Sequence, residues 1–341
     1  MIPMKKLLER YQELIKPSVS LIDDIKKIDG DIIILGVAGK MGPDMALLAV
    51  AAIKEAGIKK RVIGVARFSD KKVKDDLEAH GVETFQGDLL DDMLYEKLPK
   101  VKNVIYLAGT KFGTQGNESF TWAMNAYLPS KVAQHFRSSN IVAFSTGNVY
   151  PLSPVKDKGL TEKDATGPIG EYAQSCLGRE RIFEYFSNKN QNPLLICRLN
   201  YACDVKYGVL FEIARAVFEE KPIDLTMGFV NVIWQGDANE YAIRSLLHCN
   251  VPPKWLNITG AETLSVRKLA EGFGEIFSKT PGFKGAESET ALLSNSTECF
   301  RLMGEPKTPL KMMMEVIAEW IRQGGETLNK PTHFQEREGK F

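Results

Sequence analysis

Cysteine is scarce in this chain, and its positions exclude two classes at once. Cys176, Cys197, Cys203, Cys249 and Cys299 are odd in number and include no C-x-x-C pair. Neither a disulfide framework nor a zinc knuckle is expected, and a reducing, cytoplasmic setting is the natural reading. Histidine is equally sparse: His80, His135, His248 and His333 show no ligand spacing, so no metal is expected. No run of about 18 apolar residues occurs, so no membrane span is predicted. The opening MIPMKKLLERYQELIK lacks the apolar core of a signal peptide. A charge excess of one sign is missing too. With 44 Lys and Arg against 43 Asp and Glu, the net charge is +1, which gives no electrostatic case for a nucleic-acid or membrane partner. Internal repeats and low-complexity tracts are absent.

What is present is an ordinary globular composition, 44% hydrophobic and 26% charged over 341 residues. That length suggests two units or one large α/β body. Residues 1–29 read as an N-terminal helical extension, with Leu7, Leu8, Tyr11, Leu14 and Ile15 at helical spacing, packed on the main body. From Asp31 short apolar runs alternate with helical stretches. Strands are expected at 31–35, 61–66, 83–86, 103–107, 140–145 and 193–199, and helices at 43–56, 71–80, 120–137 and 171–188. This rhythm predicts a doubly wound parallel sheet over residues 30–200, with a returning segment near 227–250. Residues 201–226 and 251–328 are expected to form a smaller C-terminal lobe for substrate. Residues 329–341 read as a polar tail that drapes or frays.

The first expected strand runs into Gly36-Val37-Ala38-Gly39-Lys40-Met41-Gly42. Glycines spaced G-x-x-G-x-x-G between a strand and a helix suit a dinucleotide. The first permits the tight turn, the second lets backbone approach the pyrophosphate, and the third allows close helix packing. The helix start then presents unpaired N–H groups to the phosphates. At the tip of the second strand stands Arg67, where an acid would favour a free ribose 2′-hydroxyl. Arg67, with Lys40 as a second cation, leans the choice towards NADP over NAD.

Later landmarks resemble the extended short-chain dehydrogenase/reductase family, the NAD-dependent epimerase/dehydratase group. Gly87-Asp88-Leu89 resembles its third-strand motif and Leu107-Ala108-Gly109 its fourth-strand motif. Asn125 resembles its helix asparagine, and 144–150 (FSTGNVY) the fifth-strand segment. The resemblance implies a Rossmann fold with a substrate lobe. It implies cofactor contacts from Asp88, Leu89, Ala108, Gly109 and Asn125, and a catalytic Thr146. It also implies a polyhydroxylated small-molecule substrate and a homodimer through two helices.

The departure falls at the catalytic pair. The family carries Tyr-x-x-x-Lys; here the stretch is Tyr172-Ala-Gln-Ser-Cys176. Four residues span about one helical turn, so both side chains share a face. A phenol with a pKa of about 10 works poorly near neutrality without a neighbouring cation, and a thiol supplies none. Three readings follow. The site works, its tyrosine supported by cofactor charge or by another lysine such as Lys111. The chain binds cofactor as a sensor or scaffold without turnover. Or Cys176 itself reacts. On the substrate side, Asn148 and Tyr150 follow the fifth strand and are expected to face substrate, Trp234 is expected to line its cavity, and the loop at 111–119, with Lys111, stands at the end of the fourth strand and is expected to close over the site. The expected activity is hydride transfer at a secondary alcohol of a sugar, nucleotide sugar or sugar acid. In that scheme Tyr172 is acid/base and Thr146 orients the oxygen.

Overall fold

The computed structural model describes residues 4–111 and 113–340. Residues 1–3, Phe112 and Phe341, which belong to the expected N-terminal extension, loop and tail, lie outside the described residues. Seven strands form the central sheet: β1 (Ile32–Leu35), β2 (Val62–Ala66), β3 (Glu83–Gln86), β4 (Asn103–Tyr106), β5 (Asn140–Thr146), β6 (Leu194–Leu199) and β7 (Lys254–Ile258). Their order is β7-β6-β5-β4-β1-β2-β3, parallel throughout. This is the expected doubly wound Rossmann sheet. The order reverses between β1 and β4, which opens a crevice at the carboxyl ends of these strands.

The strand β1 shows why such a sequence makes a central strand. All four of its residues are buried. Ile32 and Ile34 enter one core layer, while Ile33 and Leu35 enter the layer on the opposite face. Both faces therefore need apolar side chains, and an unbroken aliphatic run, three of its four residues β-branched, supplies them. Each such side chain contributes roughly 1.5–3 kcal/mol.

The helices, in chain order, are α1 (Met4–Leu14), α2 (Val19–Lys27), α3 (Gly42–Glu55), α4 (Lys71–Ala79), α5 (Asp92–Lys97), α6 (Glu118–Trp122), α7 (Leu128–His135), α8 (Gly170–Asn190), α9 (Val209–Phe218), α10 (Gln235–Arg244), α11 (Val266–Phe277), α12 (Thr297–Met303) and α13 (Leu310–Arg322). On one face α3 packs against α2 and the returning α10; on the other α7 packs against α8. The lobe has its own core, built around α9, α11 and α13 and joined by Leu7 and Leu14 of α1.

Four features add to the sequence expectation. The N-terminal segment breaks into two helices at Pro17, where Ser18 caps α2 by accepting from Leu21 N at 3.1 Å. The helix around 120–137 contains a π-helical turn, Ala123–Tyr127, between α6 and α7. Residues 254–258, read with the lobe, instead pair in parallel with β6 and close the sheet. The tail is docked rather than frayed: Phe334 enters the lobe core, and the Arg337 guanidinium donates to Thr226 O, Thr290 O and Ser288 Oγ.

Candidate active site

The glycine turn lies at the carboxyl end of β1. Gly36 N donates to Val65 O at 2.8 Å, and its φ of +86° suits only glycine. A Cβ there would also sit 2.8 Å from Ala108 N, so the turn and the β4 end are in backbone contact. Gly39 N donates to Gly36 O at 3.0 Å. A Cβ on Gly42 would collide with Val37 O, which is how α3 comes so close to the turn. Pro43 occupies the first turn of α3, where its missing N–H leaves no bond broken.

A cavity of about 420 Å³ opens above this turn. Gly36, Gly39, Arg67, Asp88, Leu89, Ala108 and Gly109 border it, together with Lys330 of the tail. Its run from the phosphate cradle to the ends of β2 and β3 fits a dinucleotide. Asp88 is fixed by a bond from Leu90 N to its Oδ1 at 2.9 Å. Met41 packs its side chain against the core, leaving only its backbone to the helix start. A larger groove, about 700 Å³, lies beside Lys100, His135 and Ser139. It sits at the amino ends of β4 and β5, the wrong edge for a ligand in this fold.

Lys40 does not face the adenosine end, so its expected role beside a 2′-phosphate is corrected. The turn points it towards the lobe, where Nζ donates to Ala202 O at 3.1 Å and lies 3.5 Å from the Tyr207 ring centroid. Burial pushes its ammonium down to about 7. Asn125 is also corrected as a direct cofactor ligand. It is wholly buried, and its amide bonds Thr110 N, Thr110 O and Ser175 Oγ. It braces the loop after β4 from behind.

The face of α8 carries the catalytic candidates. Tyr172 hydrogen-bonds with Thr146 and with Cys176. Burial, and then Cys176, hold its phenol well above the ordinary value, while Arg179 and Thr146 pull it down. Cys176 is itself fully buried and raised chiefly by desolvation. The Lys111 ammonium lies 5.7 Å from the Tyr172 ring centroid, and burial lowers it to about 8.

The residue that the sequence reading missed is Arg179. It stands seven positions after Tyr172, two turns along the same face, and its side chain leans back towards the helix start. Its guanidinium donates to Phe144 O at 2.8 Å and Asn125 Oδ1 at 2.6 Å. A Cβ on Gly109 would meet it. Arg179 therefore brings a fixed positive charge behind the small Cys176 side chain. The Tyr-x-x-x-Cys-x-x-Arg spacing was the available signal.

Two substrate-side expectations are corrected. Tyr150 is buried, its hydroxyl donating to Asn257 Oδ1 at 3.0 Å and accepting from Arg198 at 2.8 Å. Arg198 is in turn paired with Glu180 at 2.7 Å, so Tyr150 ties the sheet to its flanking loops. Trp234 is completely buried in the lobe core, edge-on to Tyr11; its large apolar ring is worth more there than in a wet cleft. Asn148 does border a small cavity, about 120 Å³, together with Lys40, Lys111, Thr146, Asn200, Tyr207 and Thr332. Among the described residues no group of His, Cys, Asp or Glu is arranged to hold a metal, and no helix is long and apolar enough to cross a membrane.

No family model matches the chain, and no curated protein matches it by sequence. Solved structures do match. UDP-glucuronic acid 4-epimerase from Bacillus cereus, in complex with UDP-glucuronic acid and NAD, has a TM-score of 0.72 at 16% identity, over 86% of this chain and 99% of that one. An epimerase from Methanothermobacter thermautotrophicus has a TM-score of 0.71 at 17% identity, over 90% and 96%. UDP-glucose 4-epimerase from Thermotoga maritima has 0.66 at 16%, over 86% and 99%. The chain has the fold of these epimerases, the doubly wound Rossmann architecture that its motifs led one to expect.

Proposed function

We propose that this chain belongs to the extended short-chain dehydrogenase/reductase family and is a cytoplasmic, NAD(P)-dependent oxidoreductase, epimerase or dehydratase acting on a secondary alcohol of a sugar, nucleotide sugar or sugar acid. The observation that carries the proposal is the Tyr172 hydroxyl, hydrogen-bonded with Thr146, with Thr146 itself bordering the small cavity. When bound, a nicotinamide dinucleotide supplies the hydride acceptor and, oxidised, a positive charge. Tyr172 exchanges the proton of the substrate hydroxyl, and Thr146 orients that oxygen. Burial keeps the resting phenol protonated. Arg179, assisted by Lys111, lowers the energy of the phenolate that must form, the task of the lysine that Cys176 replaces. Arg67, at the adenosine end of the cavity above the glycine turn, keeps NADP as the favoured cofactor over NAD. Tyr127 and Tyr185, both more than half exposed, mark the helix faces through which we expect a homodimer.

The test is the absorbance of reduced nicotinamide with oxidised cofactor and a panel of polyols, sugar acids and nucleotide sugars. Turnover that disappears in Tyr172→Phe, with cofactor affinity retained, supports the enzyme. One observation favours the alternative of a binding-only sensor: the Tyr172 phenol is held far above neutrality by its surroundings. Tight cofactor binding without turnover on any of the panel would select that reading. A reactive Cys176 is disfavoured, because a nucleophilic thiol needs exposure and a lowered pKa, and Cys176 has neither.

A further inference from the structure

The small cavity beside Thr146 contains a charge arrangement that proton exchange at Tyr172 does not require. Two lysine side chains line it, Lys40 from the glycine turn and Lys111 from the loop after β4. Both are half-buried, and a cation partly withdrawn from water is stabilised by an anion that meets it. The contacts of Lys40 Nζ are a carbonyl oxygen, Ala202 O, and the face of Tyr207. Among the described residues no carboxylate stands within salt-bridge distance of it.

The titratable groups facing Lys40 are Cys203, Asp204, Lys111 and Glu212. Lys111 repels it. Both carboxylates are engaged elsewhere: Asp204 accepts from Tyr11 and from Lys206 N, each at 3.0 Å. Glu212 accepts from Thr332 through both of its oxygens. Cys203 is buried and pushed up to about 11, so it supplies no negative charge near neutrality.

The size of the cavity adds a second constraint. The cavity measures about 120 Å³. It falls well below the roughly 300–1,000 Å³ of pockets for drug-sized ligands. The tail sets that limit. Thr332 O accepts from Lys111 Nζ at 3.2 Å, Thr332 Oγ1 is held on Glu212 at 2.6 Å, and Phe334 anchors the segment in the lobe core. Tyr201, also on the lining, is held at a φ of +45°, a strained state for a tyrosine that recurs at functional sites.

We infer that the substrate is a small anionic polyol, whose carboxylate or phosphate group docks at Lys40 and Lys111 while its secondary hydroxyl reaches Tyr172 and Thr146. The nucleotide portion of a nucleotide sugar would have to lie outside this cavity, beyond the docked tail. This narrows the substrate class of the proposed function and rests on that reading of Tyr172.

The experiment is calorimetry on the full chain saturated with NAD⁺, whose own binding is measured first. The probes are aldonates of three to six carbons, the matching neutral polyols, inorganic phosphate and UDP-glucose. At least one aldonate or phosphate binds, the two arms showing which anion is preferred. Lys40→Met, and Lys40→Gln as a second variant checked for folding by thermal denaturation, weaken that binding about tenfold or more and leave NAD⁺ affinity unchanged. Because burial holds the free Lys40 ammonium down to about 7, anion binding takes up a proton above neutral pH, visible in buffers of different ionisation enthalpy. Neutral polyols or UDP-glucose binding as tightly as the acids would overturn the inference. So would anion binding indifferent to both Lys40 variants, or no anion binding to the NAD⁺-loaded protein. Failure of NAD⁺ itself to bind defeats the underlying reading before the anion arm begins, so the two failures are distinct.

Discussion

At the scale of single residues, Tyr172 and Gly42 set the sharpest expectations. Tyr172→Phe removes one hydroxyl from a buried site, so the fold survives and the proton has no carrier. Turnover should fall by roughly 10²–10⁴ while dinucleotide affinity is kept, as steady-state rates and calorimetry would show. Gly42→Ala forces a methyl into Val37 O. Thermal or urea denaturation should show a loss of about 1–3 kcal/mol, and cofactor affinity should fall with it. The glycine turn was legible in the sequence because its constraints are local: a positive φ and close backbone approaches. The direction of Lys40 was not, since only the folded lobe supplies Ala202 and Tyr207 to receive it. Trp234 and Tyr150 misled for the same reason, an aromatic near a site being indistinguishable in sequence from one packed behind it.

At the scale of elements, α8 acts as a unit. Tyr172, Cys176 and Arg179 form one stripe, and the Arg179 guanidinium already supplies a positive charge that acts on Tyr172. Cys176→Lys alone therefore places a second buried cation beside Arg179. It should lower stability and bring no gain in rate. Cys176→Lys with Arg179→Leu should recover part of both, a non-additivity readable by a double-mutant cycle. The π-helical turn before α7 has no counterpart in the apolar pattern, yet it carries the buried Asn125, as such turns often do near sites.

The start of α3 carries a pH signature. Burial raises Asp44 to about 6, above its unfolded value of 3.8. The folded state thus favours the protonated form, and stability present below the unfolded value is lost as pH rises through about 6. Asp44→Asn should stabilise the protein at pH 7 by up to about 3 kcal/mol, and should flatten the pH dependence of Tm between about pH 4 and 7.

For the whole molecule, the tail joins what the strand–helix rhythm separates. It touches the sheet side at Lys111 and the lobe at Glu212, Tyr201 and Thr226. Removing residues 329–341 exposes the seat of Phe334 and frees the carboxylate of Glu212. Unfolding experiments should show a loss of at least about 2 kcal/mol, and discrimination between small acids and larger ligands should weaken. The Rossmann half was readable because each strand there is flanked by its own helix, a local alternation. β7 and the tail were not: β7 gains its place by pairing with β6, its Lys254 opposite Leu195, and the tail by docking on Tyr201, Glu212 and Thr226, more than a hundred residues earlier, with no periodicity of its own.

The central claim is that the turn from Gly36 to Gly42 cradles a dinucleotide. Isothermal titration of the full chain with NADP⁺ and NAD⁺ tests it most directly. The account predicts one-to-one binding of at least one of them, lost in Gly36→Val. Heats no greater than dilution for both dinucleotides at millimolar concentration, with the protein folded, would contradict it.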